Sequence, residues 1–243
     1  MAGSLKTEGI VLRSMRYGEA DRILHLFTPN SGRLSAIAKG VRKARSRFGG
    51  RLEPFFRLDL VLYEGRSDLL TVTSAATLEG FRRLREHGAA LDVAARCCDA
   101  VDRMFDPGDP HPGVYHLLAK ELALLDADPA RHATLANALA FRLKLLLAAG
   151  FSPQLAACAS CGERDHLSGF SGAAGGVVCS ACEAGSFALS QDAHDFLVGA
   201  LGRPLAGAPE APPRALAQAE RAILETLEHH AHLRLRAVGS RLS

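Results

Sequence analysis

The sequence predicts a multidomain α+β chain: a small N-terminal β-barrel, then an α-helical domain interrupted by a four-cysteine metal module. Three observations carry this. Residues 6 to 76 form short apolar stretches separated by turn residues; from about residue 79 the apolar spacing becomes helical; and residues 158 to 182 hold two C-x2-C pairs. A chain of 243 residues is long enough to bury one large core or several small ones, and 48% hydrophobic with 23% charged residues is an ordinary globular balance.

The strand candidates come in order as EGIVLRS, RILHLFT, RLSAIAK, FFRLDLVLY and LLTVTSA. In the fourth, Phe56, Leu58, Leu60 and Leu62 alternate with Phe55, Arg57, Asp59, Val61 and Tyr63, which is the period of a strand with one core face. Pro29, Asn30 and Gly32 supply the turn between the second and third strands. Five strands in about 70 residues favour a closed barrel, because closure removes the edges that would pair with other chains. An OB-type barrel is the first choice and an SH3-like barrel the second.

Beyond the barrel, Leu91, Ala94, Cys98, Val101 and Phe105 recur at helical spacing until PGDPHPG, residues 107 to 113, breaks the chain. Helices follow at about 113–126 and 131–149, the second closed by Gly150 and Pro153. Ser190 caps a further helix with acidic residues in its first turn, and a last helix runs from about 214 to 232 after a Pro/Ala/Gly loop. Cys97 and Cys98 lie within the first helical stretch and read as small core residues. The predicted domains are 1–79 for a nucleic-acid-binding barrel, 80–153 for the first helical part, 154–188 for the metal module and 189–243 for the second helical part.

Cys158, Cys161, Cys179 and Cys182 are spaced C-x2-C-x17-C-x2-C. Each pair can place two sulfurs on one side of a tight turn, and two such turns complete a tetrahedral Zn²⁺ shell. Four thiolates leave no open position, so the expected cofactor is one structural zinc ion. A water-activating zinc would need a companion His-x-Glu pair, which the cysteines lack.

Net charge is only +3, but residues 1–80 hold 13 Lys and Arg against 8 Asp and Glu. Between 33 and 57 lie eight basic residues, Arg33, Lys39, Arg42, Lys43, Arg45, Arg47, Arg51 and Arg57, and one acid, Glu53. An arginine-rich connector between two barrel strands suits bidentate contact with phosphate oxygens, and these eight are the expected contacts to a nucleic-acid backbone. Tyr17, Phe48 and Phe55 are the nearby aromatics that could stack on bases. There is no phosphate-cradling G-x-x-x-x-G-K-[ST] loop, no G-x-G-x-x-G and no G-x-S-x-G elbow, so no catalytic residue is assigned. HHAH at 229–232 reads as solvated or partly packed imidazoles. The longest apolar runs fall well short of the roughly 20 residues of a membrane span. The N-terminus has no signal-peptide pattern, and the expected location is the cytoplasm.

TEGIVLRSMRYGEADRILHLFTPNSGRLSAIAKGVRKARSR, FRLKLLLAAGFSPQLAACASCG and the terminal GSRLS together resemble the bacterial RecO recombination mediators, in the subtype that carries the zinc cysteines. The resemblance implies an OB-fold followed by a helical domain with an inserted zinc module. It also implies a non-enzymatic DNA-repair protein of the RecFOR pathway that binds single- and double-stranded DNA and anneals complementary strands. Such a protein works with RecR, contacts the acidic C-terminal tail of the single-stranded-DNA-binding protein and helps RecA load onto coated DNA, at the nucleoid when acting. The alternative reading of the residues is a zinc-ribbon and OB-fold RNA-binding protein, and a weaker one is a zinc-dependent enzyme acting on nucleic acid.

Overall fold

The computed structural model describes residues 3–43, 45–65 and 69–238. The Ser-Arg tail at 239–243 lies outside them. The chain divides into two compact units, Met1–Pro129 and Ala130–Ser243. The division falls inside the segment 80–153 that the sequence assigns to the first helical part, so the helices before residue 130 belong with the barrel.

The first unit opens with β1 (Ser4–Tyr17), β2 (Asp21–Thr28), β3 (Gly32–Ala38), β4 (Arg57–Tyr63) and β5 (Leu70–Glu79). They close a barrel in the order β1-β2-β3-β5-β4, antiparallel throughout except for the β3/β5 pair. That order, closed by one parallel pair, is the OB arrangement rather than the SH3-like one. A bulge between Val11 and Arg13 lets the long β1 turn from β4, its partner at the start, to β2 at its end. Alternation decides the core: Leu24, Leu26, Ala36, Leu58, Leu60 and Leu62 point inward and are inaccessible to solvent.

The predicted fourth strand starts at Phe55, whereas β4 begins at Arg57. Phe55 takes a left-handed backbone, with φ of 77°, and its N–H donates to the Val11 carbonyl at 2.8 Å, so the chain enters the sheet only after it. After the barrel come α1 (Arg82–Glu86), α2 (Gly88–Met104) and α3 (Pro112–Ala127). Cys97 and Cys98 are buried on α2 as expected of core residues, and burial pushes the Cys98 thiol pKa up.

The predicted helix 131–149 is broken. One turn, α4 (Pro129–His132), precedes α5 (Leu135–Ala148), and the Thr134 hydroxyl caps α5 by accepting the Asn137 N–H at 3.2 Å. In the second unit α5 is buried on most of its surface and packs beside α6 (Gln191–Gly202) and α7 (Pro213–His230). Ser190 caps α6 as the sequence indicates. Between α5 and α6 sits a small sheet of β6 (Leu167–Ser171), β7 (Gly176–Cys179) and β8 (Phe187–Ala188), in the order β7-β6-β8.

Candidate metal centre and nucleic-acid surface

The four cysteines separated in sequence come together in space. Cys158 and Cys161 lie on a turn that the Gly162 N–H closes by donating to the Cys158 carbonyl at 2.9 Å, with Gly162 at φ 80°. Cys179 ends β7, and the Cys182 N–H donates to its carbonyl at 2.9 Å. All four Sγ atoms lie within 4.8 Å of one another, and Cys161 and Cys179 Sγ are 3.7 Å apart. A tetrahedron of thiolates at a zinc–sulfur distance of about 2.3 Å has edges of about 3.8 Å, so the donor set fits such an ion. The backbone amides of Cys179, Cys161 and Ser160 hold the Cys158 thiol pKa down, whereas the neighbouring thiols push Cys161 and Cys182 up, as expected of four sulfurs crowded together. Within the module the chain at Gln154 runs beside β7: the Val177 N–H donates to the Gln154 carbonyl and the Gln154 N–H to the Gly175 carbonyl, each at 2.9 Å, and the approach leaves no room for a Cβ at Gly176.

The basic segment between β3 and β4 is fastened to the barrel. Phe48 and Leu52 are buried in the barrel core, and the Phe48 N–H donates to Ser46 Oγ at 3.2 Å. At its other end the Gly40 N–H donates to Asp21 Oδ1 at 2.7 Å, the Arg42 N–H to the Ala20 carbonyl at 2.9 Å, and Arg42 Nη1 to the Glu19 carbonyl at 3.1 Å. Lys39, Arg42, Lys43, Arg45, Arg47 and Arg51 are all exposed. Among the described residues none of these six pairs with a carboxylate; Arg47 and Arg51 reach only backbone carbonyls, and Arg47 lies over the Phe48 ring.

Arg33 and Arg57 stand elsewhere and differently. Arg33 Nη1 pairs with Asp102 Oδ1 of α2 at 3.2 Å, and Asp102 also takes His25 Nδ1 at 3.2 Å and Arg13 Nη1 at 3.4 Å. The Asp102 side chain is 4% exposed. Burial alone would raise its pKa, but the hydrogen bonds and charge of His25 and Arg33 outweigh it and hold the carboxyl below the usual aspartate range. Arg57 binds Glu8 at 2.9 Å and Glu79 at 3.1 Å, and its Nε donates to the buried Tyr115 hydroxyl at 3.2 Å. Of the candidate stacking aromatics, Tyr17 is 53% exposed, whereas Phe48 and Phe55 are buried.

Sequence reasoning missed the anchors of the basic segment. Phe48 and Leu52 were its signal, two apolar residues four apart in an otherwise polar connector.

Two family models, described as Recombination protein O N terminal and Recombination protein O C terminal, match residues 1–81 and 85–238. The chain belongs to the RecO family of DNA repair proteins. The DNA repair protein RecO of Rubrobacter xylanophilus is 40% identical over 200 residues, spanning 82% of this chain and 78% of that protein. The RecO proteins of Anaeromyxobacter sp. strain K and Bifidobacterium longum are each 36% identical, over 96% and 72% of this chain and 94% and 73% of their own lengths. The boundary between the two RecO models, near residue 83, coincides with the end of the barrel at Glu79 and the start of α1. No helix among the described residues is long and apolar enough to cross a membrane.

Proposed function

We propose that this RecO family member acts without catalysis, as a DNA-binding recombination mediator. One observation carries the reading: six exposed, carboxylate-free cations on a connector pinned to an OB barrel. Such a surface holds single- or double-stranded DNA by its phosphates, with affinity that falls as salt rises because bound counterions are released. Arg33 and Arg57, tied to Asp102, Glu8 and Glu79, orient the barrel's outer strands and lend only a partly neutralised charge to that surface.

Annealing needs no reacting group. Two polyanions drawn to one cationic surface repel each other less and meet at higher local concentration. One Zn²⁺ held by Cys158, Cys161, Cys179 and Cys182 maintains the module around it and touches no substrate. The proposal extends to the partners that the resemblance implies: RecR, the C-terminal tail of the single-stranded-DNA-binding protein and, through them, RecA loading on coated DNA in the cytoplasm at the nucleoid.

The test is a salt-titrated binding curve of the zinc-loaded protein on single-stranded DNA, duplex DNA and RNA of equal length, with strand annealing followed in parallel. Binding to both DNA forms with a steep salt slope, and annealing without cleavage, is expected. RNA bound in preference to DNA would favour the RNA-binding alternative. A hydrolysed or deaminated product lost in Cys158→Ala would overturn the non-catalytic assignment.

A further inference from the structure

The outer surface of the barrel carries a feature that no single strand reveals. Leu24, Leu26, Ala36 and Ala38 fill the barrel, so by alternation Ile23 on β2 and Ile37 on β3 face outward. The register places Met15 of β1 opposite Ile23, Ile23 opposite Ile37, and Ile37 opposite Thr71 of β5. Three apolar side chains therefore stand side by side across three strands. Met15 is 38% exposed, Ile23 and Ile37 are half-buried, and Tyr17, two residues beyond Met15 on the same face, is more than half exposed.

Cations border this row on both sides, free of carboxylates in the connector and shared with Asp102 at Arg13. Arg13 is the preceding outward residue of β1, with its guanidinium 3.9 Å from Met15 Sδ. On β3 the alternation Arg33, Ser35, Ile37 continues to Lys39, which opens the basic connector, and Arg42 folds back onto the β1–β2 turn. Of the two carboxylates at that turn, Asp21 is turned to the Gly40 N–H and Glu19 is exposed. An apolar strip with cationic margins complements a polymer that is anionic along its backbone and apolar on its bases.

Resting on the DNA-binding reading above, we infer that the Met15–Ile23–Ile37 row, with Tyr17 at its end, seats the unstacked bases of single-stranded nucleic acid while the basic connector holds its phosphates. A duplex keeps its bases stacked inside and meets only the cations. The barrel thus distinguishes single strands from duplexes by an apolar contact, and the distinction does not depend on salt.

The experiment measures affinities of the zinc-loaded full chain for a single-stranded oligonucleotide and for its duplex across a salt series. Two variants are compared with the unmodified chain: Tyr17→Ala with Met15→Ala, both exposed positions, and Ile23→Thr with Ile37→Thr. Stacking losses on alanine substitution lead us to expect single-strand affinity to fall about tenfold in the first variant, with duplex affinity and both salt slopes unchanged. Equal losses on single strand and duplex would overturn the inference, as would unaltered single-strand affinity in the Tyr17/Met15 variant, including the case in which that variant instead loses a protein partner. The second variant is scored only if its melting curve matches the unmodified chain; if it does not, the first decides. Absence of any DNA binding by the unmodified chain would instead be the failure of the functional reading itself.

Discussion

Replacing Arg42, Lys43 and Arg45 together with Gln isolates what the connector contributes. Six of its cations are exposed and free of carboxylates among the described residues, and the change removes three of them. If each meets one phosphate, the slope of log K against log salt on single-stranded DNA should drop from about −4 to about −2. The same arithmetic gives about a hundredfold weaker binding at 0.1 M salt and almost no difference near 1 M. Folding should be little affected, because Phe48, Leu52 and the Gly40–Asp21 bond still pin the segment and only the Arg42 guanidinium bond to the Glu19 carbonyl is lost. The comparison that gives the test its force is Arg33→Gln, which removes one positive charge, against three in the triple variant, from a guanidinium already paired with Asp102. It should change the salt slope little and lower stability instead. Fluorescence anisotropy on a labelled oligonucleotide across a salt series, with a urea melt of each variant, reads both quantities. An unchanged slope in the triple variant, or an Arg33 variant that flattens the slope as much per charge, would refute the division into free and paired cations.

Other outcomes follow from the same structure. Cys179→Ser, or prolonged chelation, should release the metal and raise hydrogen exchange across residues 155–185 while leaving the barrel strands protected; a metal-free protein with native protection there would contradict the structural role. Asp102→Asn should destabilise by about 2–3 kcal/mol at neutral pH, below the value for a fully buried pair because Arg13 is half exposed and can turn to water. Because the folded Asp102 pKa lies below its unfolded value, this stabilisation is complete above about pH 4 and fades as pH falls through the folded pKa, so urea melts of the two proteins should converge in acid. Gly32→Ala should cost at least about 2 kcal/mol, since residue 32 has φ 57° and its Cβ would lie 1.9 Å from the Asp109 carbonyl oxygen; a normal urea midpoint would show that the 106–111 loop can move away.

Features set by local chemistry were legible in the sequence. The alternation of Leu58, Leu60 and Leu62 announced β4, Ser190 announced the start of α6, and the spacing of the four cysteines announced a site that the fold assembles. Features set by tertiary contact were not. The left-handed turn at Phe55 depends on the Val11 carbonyl of the neighbouring strand β1, and the burial of Phe48 and Leu52 depends on a barrel interior the segment itself does not form. The break before α5 was locally visible in Thr134, but apolar periodicity on either side of it concealed it. The Met15–Ile23–Ile37 row needed three strands in known register, because adjacent members lie in different stretches of sequence. Likewise, Arg33 and Arg57 look equivalent to the connector cations in sequence, because their carboxylate partners come from residues 69 positions away in one case and 22 and 49 in the other.

The pattern of compensation is itself an argument about function. On the barrel strands, charge is largely answered: Arg57 by Glu8 and Glu79, Arg22 by Glu53, Arg33 and Arg13 by Asp102, with Lys6 and Arg16 of β1 the exceptions among the described residues. Between β3 and β4 it is not, although an acid at any of several exposed positions there would be easily accommodated and surface ion pairs contribute at most about 1 kcal/mol. Clustered like charges repel one another, so leaving six of them unanswered gives the isolated chain no stability. A segment held rigid by Phe48 and Leu52 while its cations remain free loses little conformational freedom when it meets a polyanion. Stability and recognition are thereby assigned to different residues of one short connector: the apolar pair fixes its course, and the arginines and lysines remain available to phosphate.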